Sequence, residues 1–160
     1  MNLNICFYED RATNNFGELL YTRPIWELRC GAFTLSDKIL RRFGGNKVFF
    51  RCRDNLKSYY LENSEWNWLE ISEVNQDTLF INGRAIIRSI AITELILNSD
   101  EQIYTADDEI VAFKLCPSNI HKLKWDNEGI LDESSINIKS SKSIEAKIIS
   151  HPWQLIQSAS

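Results

Sequence analysis

The stretch TLFINGR, residues 78–84, decides the architecture. Thr78, Leu79, Phe80 and Ile81 form a short apolar run of the kind that makes a compact buried strand. Asn82-Gly83-Arg84 follows at once. Asn-Gly is a common turn dipeptide, so the tripeptide reads first as a plain turn. Gly83 also permits a positive φ and a close approach of backbone, which leaves Asn82 and Arg84 presenting polar groups at a strand's carboxyl end. The residues alone leave both readings open.

Outward from this strand, the pattern alternates. LNICFY (3–8) reads as a first buried strand, followed by a polar loop over 9–22 with Asn14-Asn15 and Gly17. Thr34 with Asp37 three residues on has the form of a capping box. Leu35, Ile39, Leu40 and Phe43 fall on one helical face, and Gly44-Gly45 stops that helix. KVFFRC (47–52) reads as a second strand and RDNLKSYYLEN (53–63) as a short helix. The stretch 64–77 reads as irregular. A helix is expected within 86–98, then two strands, QIYTA (102–106) and EIVAFKLC (109–116), around an Asp107-Asp108 turn. One helical turn fits 118–124, weak strand patterns fit 136–139 and 145–150, and HPWQLIQ (151–157) starts a last helix. Strands alternating with helices indicate an α/β domain, in which ligands bind outside the carboxyl ends of the strands. Two such ends stand out, after Tyr8 and after Ile81.

The 160 residues fit one domain, read here as 1–160, and 44% hydrophobic residues suffice for a sizeable core. No apolar run has the length of a membrane span, and the N-terminus lacks the pattern of a signal peptide, so a cytoplasmic protein with no membrane partner is expected. Net charge is −4, which argues against nucleic acid as a partner. The charge is uneven: residues 1–60 hold ten Lys/Arg against six Asp/Glu, and the remainder is acidic. A basic N-terminal third suits a local anion site such as phosphate; solvated helix faces would explain it as well. Cys6, Cys30, Cys52 and Cys116 are widely spaced with no CxxC pair, so a zinc site is not expected. His121 and His151 read as surface or structural residues, and no standard phosphate loop or hydrolase motif is present.

Two segments carry candidate chemistry. The loop after the first strand holds Glu9, Asp10 and Arg11, polar groups that could face a phosphate. TRPIWELRCG (22–31) holds Arg23 and Arg29, each a rigid fork able to grip phosphate in two places. Pro24 fixes the backbone beside Arg23. Glu27 could orient one arginine, or could tie the loop down with Trp26 in the core.

FYED, TRPIWELRCGAFTLSDKI, TLFINGRAI and HPWQLIQ, in this order, resemble the N-terminal region of a bacterial family of sugar nucleotidyltransferases, themselves similar to N-acetylglucosamine-1-phosphate uridylyltransferases. The resemblance spans nearly the whole chain. It implies a Rossmann-like nucleotide-diphospho-sugar transferase sandwich, a mixed sheet flanked by helices, shorter here than the catalytic domains of the well-studied enzymes. It implies transfer of a nucleotidyl group from an NTP to a sugar 1-phosphate with release of pyrophosphate. In longer relatives a left-handed β-helix follows and homo-oligomers can form; residues 1–160 are read as the nucleotidyltransferase-like domain without that β-helix. The roles implied are Arg23 and Arg29 as catalytic phosphate holders, with Glu9, Asp10, Arg11, Lys38, Asn82, Gly83 and Arg84 binding the nucleotide or sugar. The chain departs from the well-studied enzymes in two places. FYEDRATNNFGE stands where they carry a Gly-rich loop, and NGR stands where they carry a Gly-Asp whose Asp holds Mg²⁺. Mg²⁺ would then have to be held by Glu9, Asp10 or another carboxylate, with Asp10 as the named candidate. The alternative is a degenerate nucleotide-binding or assembly module of the same fold.

Overall fold

A computed structural model describes residues 3–44 and 46–158. The expected helix stop at Gly45 lies outside the described residues. Seven strands form the main sheet: β1 (Asn4–Tyr8), β2 (Lys47–Arg51), β3 (Asn67–Trp68), β4 (Thr78–Asn82), β5 (Gln102–Ala106), β6 (Glu109–Leu115) and β7 (Ser141–Ser143). Their spatial order is β3-β2-β1-β4-β6-β5-β7. β1, β2, β3 and β4 run parallel, as do β5 and β7, and only β6 is antiparallel to its neighbours. The order runs outward in both directions from the β1–β4 pair. The carboxyl ends of β1 and β4 therefore form the switch point where such sheets bind ligands.

β1 and β4 are buried along their whole length, as their apolar runs require. Alternate side chains enter two different cores. Ile5, Phe7, Leu79 and Ile81 pack with α1 (Leu35–Leu40), α2 (Asp54–Asn63) and the segment around Trp26. Cys6, Tyr8 and Phe80 face Phe113, Ile120 and Leu131 on the other side. α1 begins with the expected capping box: Thr34 accepts from the Asp37 amide and Asp37 accepts from the Thr34 amide. Leu35, Ile39 and Phe43 are buried as expected. The β5–β6 turn places both Asp107 and Asp108 at positive φ, the backbone a tight hairpin needs.

Several elements differ from the sequence expectation. The expected loop over 9–22 contains 3₁₀ turns over Arg11–Leu20, broken at Gly17 (φ 51°), because Thr13, Phe16 and Leu20 turn one face into the core. Helix α3 spans only Ile90–Leu97, since Ala85–Ile86 instead pairs antiparallel with Lys147–Ile148. Residues 136–139 are not a strand; the sheet is completed at its edge by Ser141–Ser143, whose exposed polar side chains carry no strand pattern. A one-turn helix, α4, covers Pro117–Ile120, and α5 covers Trp153–Gln157. No helix among the described residues is long and apolar enough to cross a membrane.

Candidate nucleotide site at the carboxyl ends of the parallel strands

The chain leaves β1 through Glu9 and Asp10, and both carboxylates turn inward. Glu9 is 0% exposed. Its Oε2 accepts from the Ile25 amide at 2.9 Å, and its Oε1 accepts from the Arg53 amide and Nε, both at 3.0 Å. Arg53 then donates through Nη2 to the Arg23 carbonyl at 2.9 Å. One buried carboxylate thus ties the end of β1 to the Pro24–Trp26 segment and to the start of α2. A buried charge is tolerable only with this degree of pairing.

Asp10 is matched to Arg84. The guanidinium donates from Nε to Oδ1 at 2.9 Å and from Nη2 to Oδ2 at 2.7 Å, a two-point grip. Arg84 is 1% exposed. Its Nη1 donates to the Ile149 carbonyl, and Nη2 also meets Glu109, whose side chain is 40% exposed. Asn82 donates to Asp10 and to the Ile110 carbonyl, and its Oδ1 accepts from the Arg84 amide. Burial by itself would lower the Arg84 pKa; hydrogen bonds and charge from Asp10, then Glu109, outweigh it and leave the pKa raised.

Gly83 donates its amide to the Tyr8 carbonyl, joining the two strand ends. Its φ lies outside the left-handed region, so the positive φ that glycine permits is not used here. Close approach is what requires glycine: a Cβ here would lie 2.7 Å from Ile25 Cγ2 and 3.0 Å from Trp26 Cε3. The Ile25–Glu27 turn is pressed onto the switch point. Trp26 donates to the Tyr60 hydroxyl at 3.0 Å, and Tyr60 donates to Glu27 at 2.6 Å. Glu27 thus orients a tyrosine rather than either arginine. Burial, then the Glu27 bond, pushes the Tyr60 pKa up.

These contacts sort the expected site residues. Glu9, Asp10, Asn82, Gly83 and Arg84 come together, but as the buried frame beneath the switch point, where none presents a free polar group to a ligand. Arg11, Arg23 and Arg29 are exposed, and Lys38 is half-buried. Arg23 is joined through its carbonyl to Arg53, whereas Arg29 donates to Ala32 within its own hairpin, Arg29–Thr34. The two arginines expected to act together belong to different local structures.

Mg²⁺ does not fit the donor set of Glu9 and Asp10. Each oxygen of Glu9 and Asp10 already accepts from nitrogen donors, and Arg84 brings a fixed cation to Asp10. Among the described residues no three His, Cys, Asp or Glu side chains are grouped to hold a metal ion.

An open cleft of about 510 Å³ lies beside this frame. Asn14, Tyr21, Arg53, Asp54, Asn127 and Glu128 line it. Arg53 is held by Glu9 and the Arg23 carbonyl, with its side chain 15% exposed and Nη1 without a protein partner among the described residues. The far wall is the turn 126–129. The Asp126 side chain accepts from the Glu128 and Ile130 amides, and Gly129 adopts φ 92°. A Cβ at Gly129 would lie 2.8 Å from the Cys52 carbonyl and 3.0 Å from the Asp54 amide, so this turn closes on the end of β2. Sequence reading missed Arg53 and this turn. Arg53 nonetheless follows the second strand directly, and the rule applied to Tyr8 and Ile81 selects it too.

The sequence model of a family described as sugar nucleotidyl transferase matches residues 5–160. No curated protein sequence matches the chain. Among solved structures, HddC from Yersinia pseudotuberculosis superposes with a TM-score of 0.58 at 11% identity, covering 99% of this chain and 98% of that one. HddC complexed with GMP-PN superposes with a TM-score of 0.54 at 12% identity, with the same coverage of both chains. A structure from Bacillus anthracis, described as a glucose-1-phosphate thymidylyltransferase in complex with a sucrose, gives 0.54 at 9% identity, covering 99% and 94%. At these identities the likeness to solved structures is one of fold.

Proposed function

We propose, from a chain that belongs to the sugar nucleotidyl transferase family over residues 5–160, that it transfers a nucleotidyl group from an NTP to a sugar 1-phosphate and that the nucleotide occupies the cleft beside Arg53. The observation that carries the placement is a cleft at the carboxyl ends of β1 and β2, beside the switch point, whose one arginine is already fixed by a buried carboxylate. The likeness in fold to HddC, which has been solved with GMP-PN, supports it.

In this reading an oxygen of the sugar phosphate attacks the α-phosphorus of the NTP. The bond from that phosphorus to the bridging oxygen breaks, and pyrophosphate leaves with the electron pair. No covalent intermediate with the protein is required; positioning and charge neutralisation carry the rate. Arg53 offers Nη1 to the phosphates from a side chain whose entropy is already spent on Glu9 and Arg23. Arg11 and Arg23, exposed on the segment that follows β1, add positive charge. Asp54 and Glu128 can accept from ribose hydroxyls. Asn14 and Asn127 can bond the base, and Tyr21 can stack on it.

The test mixes the chain with each NTP and a set of sugar 1-phosphates, with and without Mg²⁺, and follows pyrophosphate by ³¹P NMR. Turnover with one base, lost in Arg53→Lys, supports the reading. Nucleotide binding without turnover in any mixture would favour the binding module instead, and no binding at all would remove the cleft from consideration.

A further inference from the structure

Cations that the nucleotide cleft does not use are gathered in a second place. A groove of about 650 Å³ runs between α1 and the segment after β4, with Ile86 and Ile87 as its apolar floor. Lys38, Arg41, Arg42 and Arg88 line it, and no carboxylate does. Lys38 on α1 and Arg41 and Arg42 in the turn that follows it stand three and four residues apart, where like charges repel. Part of that repulsion is offset by their place near a helix carboxyl end. Arg88 belongs to another segment and meets them across the groove, which helix electrostatics does not explain. None of the four takes part in an ion pair among the described residues; the three ion pairs found there involve Arg53 and Arg84. This concentration of unpaired positive charge stands on a chain of net charge −4.

Two of the guanidiniums are also held in place. Arg41 lies over the Phe33 ring with its Cζ 3.6 Å from the centroid. Arg88 donates through Nη2 to the Ser158 carbonyl at 2.8 Å. Each keeps further N–H donors for a ligand. Fixed forks of this kind bind phosphate oxygens without the entropy cost of ordering a free side chain. The volume suits a small molecule. The groove and the nucleotide cleft share no lining residue.

We propose that this groove is a second ligand site, separate from the nucleotide cleft, for a phosphorylated small molecule carrying two or more negative charges. The donor arrangement suits a phosphomonoester or a diphosphate, and titration separates them.

The experiment is isothermal titration calorimetry of the intact chain at low ionic strength with pyrophosphate, glucose 1-phosphate and heparin. The double variant Arg42→Gln/Arg88→Gln is compared, after its unfolding midpoint shows that it folds. The expected result is saturable binding of pyrophosphate or glucose 1-phosphate, weakened about tenfold or more in the variant as charge-assisted bonds are lost. The tighter of the two ligands names the class. Nucleotide affinity should be the same in wild type and variant, and pyrophosphate binding should survive Arg53→Lys, so the fate of the nucleotide cleft is read separately. The proposal is overturned if neither small anion binds, if the variant binds them as the wild type does, if heparin alone binds, or if the variant loses nucleotide as well.

Discussion

Arg84→Met tests the frame on which the site is built. The substitution keeps much of the volume and removes the guanidinium that grips both oxygens of Asp10. Asp10 is then a buried carboxylate with only Asn82 donating to it, and the Ile149 carbonyl loses its donor. Glu109 loses little, because its side chain is substantially exposed and re-solvates. Removing one partner of a buried pair costs about 3–5 kcal/mol, because the other charge is left uncompensated. For a chain of this size that corresponds to a midpoint lower by about 6–20 °C. Adding Asp10→Asn to Arg84→Met removes the buried charge and keeps an acceptor for Asn82. The double variant should therefore regain at least half of the loss, although each change is a defect by itself. Thermal and urea unfolding followed by circular dichroism measure both. A loss within about 1 kcal/mol for Arg84→Met, or purely additive losses in the double variant, would show that Arg84 is not the counterion that holds this corner together.

Gly83→Ala should cost about 1–3 kcal/mol by forcing Ile25 and Trp26 off the switch point, with changed tryptophan fluorescence; unchanged stability and fluorescence would show that the Ile25–Glu27 turn is not pressed against Gly83. The thiols predict an alkaline limit. Burial pushes Cys52 up to about 12 and raises Cys6 further, so both favour the folded state below their ordinary 9.0 and withdraw that stability as pH climbs from there toward their folded values. Urea midpoints should fall over that range in the wild type and less in Cys52→Ala; a flat profile would contradict the buried thiols. In the native state a thiol reagent should modify Cys116 quickly and Cys6, Cys30 and Cys52 only on unfolding, and fast reaction of all four would contradict the burial pattern.

Local chemistry was legible in the sequence where it was self-contained. The apolar runs at 3–8 and 78–81 became the two central strands, the Thr34–Asp37 pair became a capping box, and Asp107-Asp108 became a hairpin turn. Interactions closed by the fold were not legible. Arg84 reads as a phosphate ligand because its counterion stands 74 residues earlier, and Glu9 reads as a loop carboxylate because Arg53 stands 44 residues later. Glu27 reads as a partner for Arg23 or Arg29 because they are its neighbours, while the group it accepts from is on α2. The Ser141–Ser143 edge strand buries nothing, so it leaves no hydrophobic trace. The consequence is a change of roles. Residues chosen for their charge at the two strand ends are tied to buried partners beneath the switch point, and Lys38 lines the groove beside three arginines that sequence reading did not single out.

Nucleotide placement is the central claim, and ¹⁵N-resolved NMR mapping tests it most directly. Titrating the labelled chain with the NTP that shifts its thermal midpoint should move the amides of Asn14, Tyr21, Arg53 to Asn55 and Asn127 to Gly129, and leave Lys38, Arg41, Arg42 and Arg88 in place. Shifts confined to the groove residues, or none near Arg53, would contradict the account.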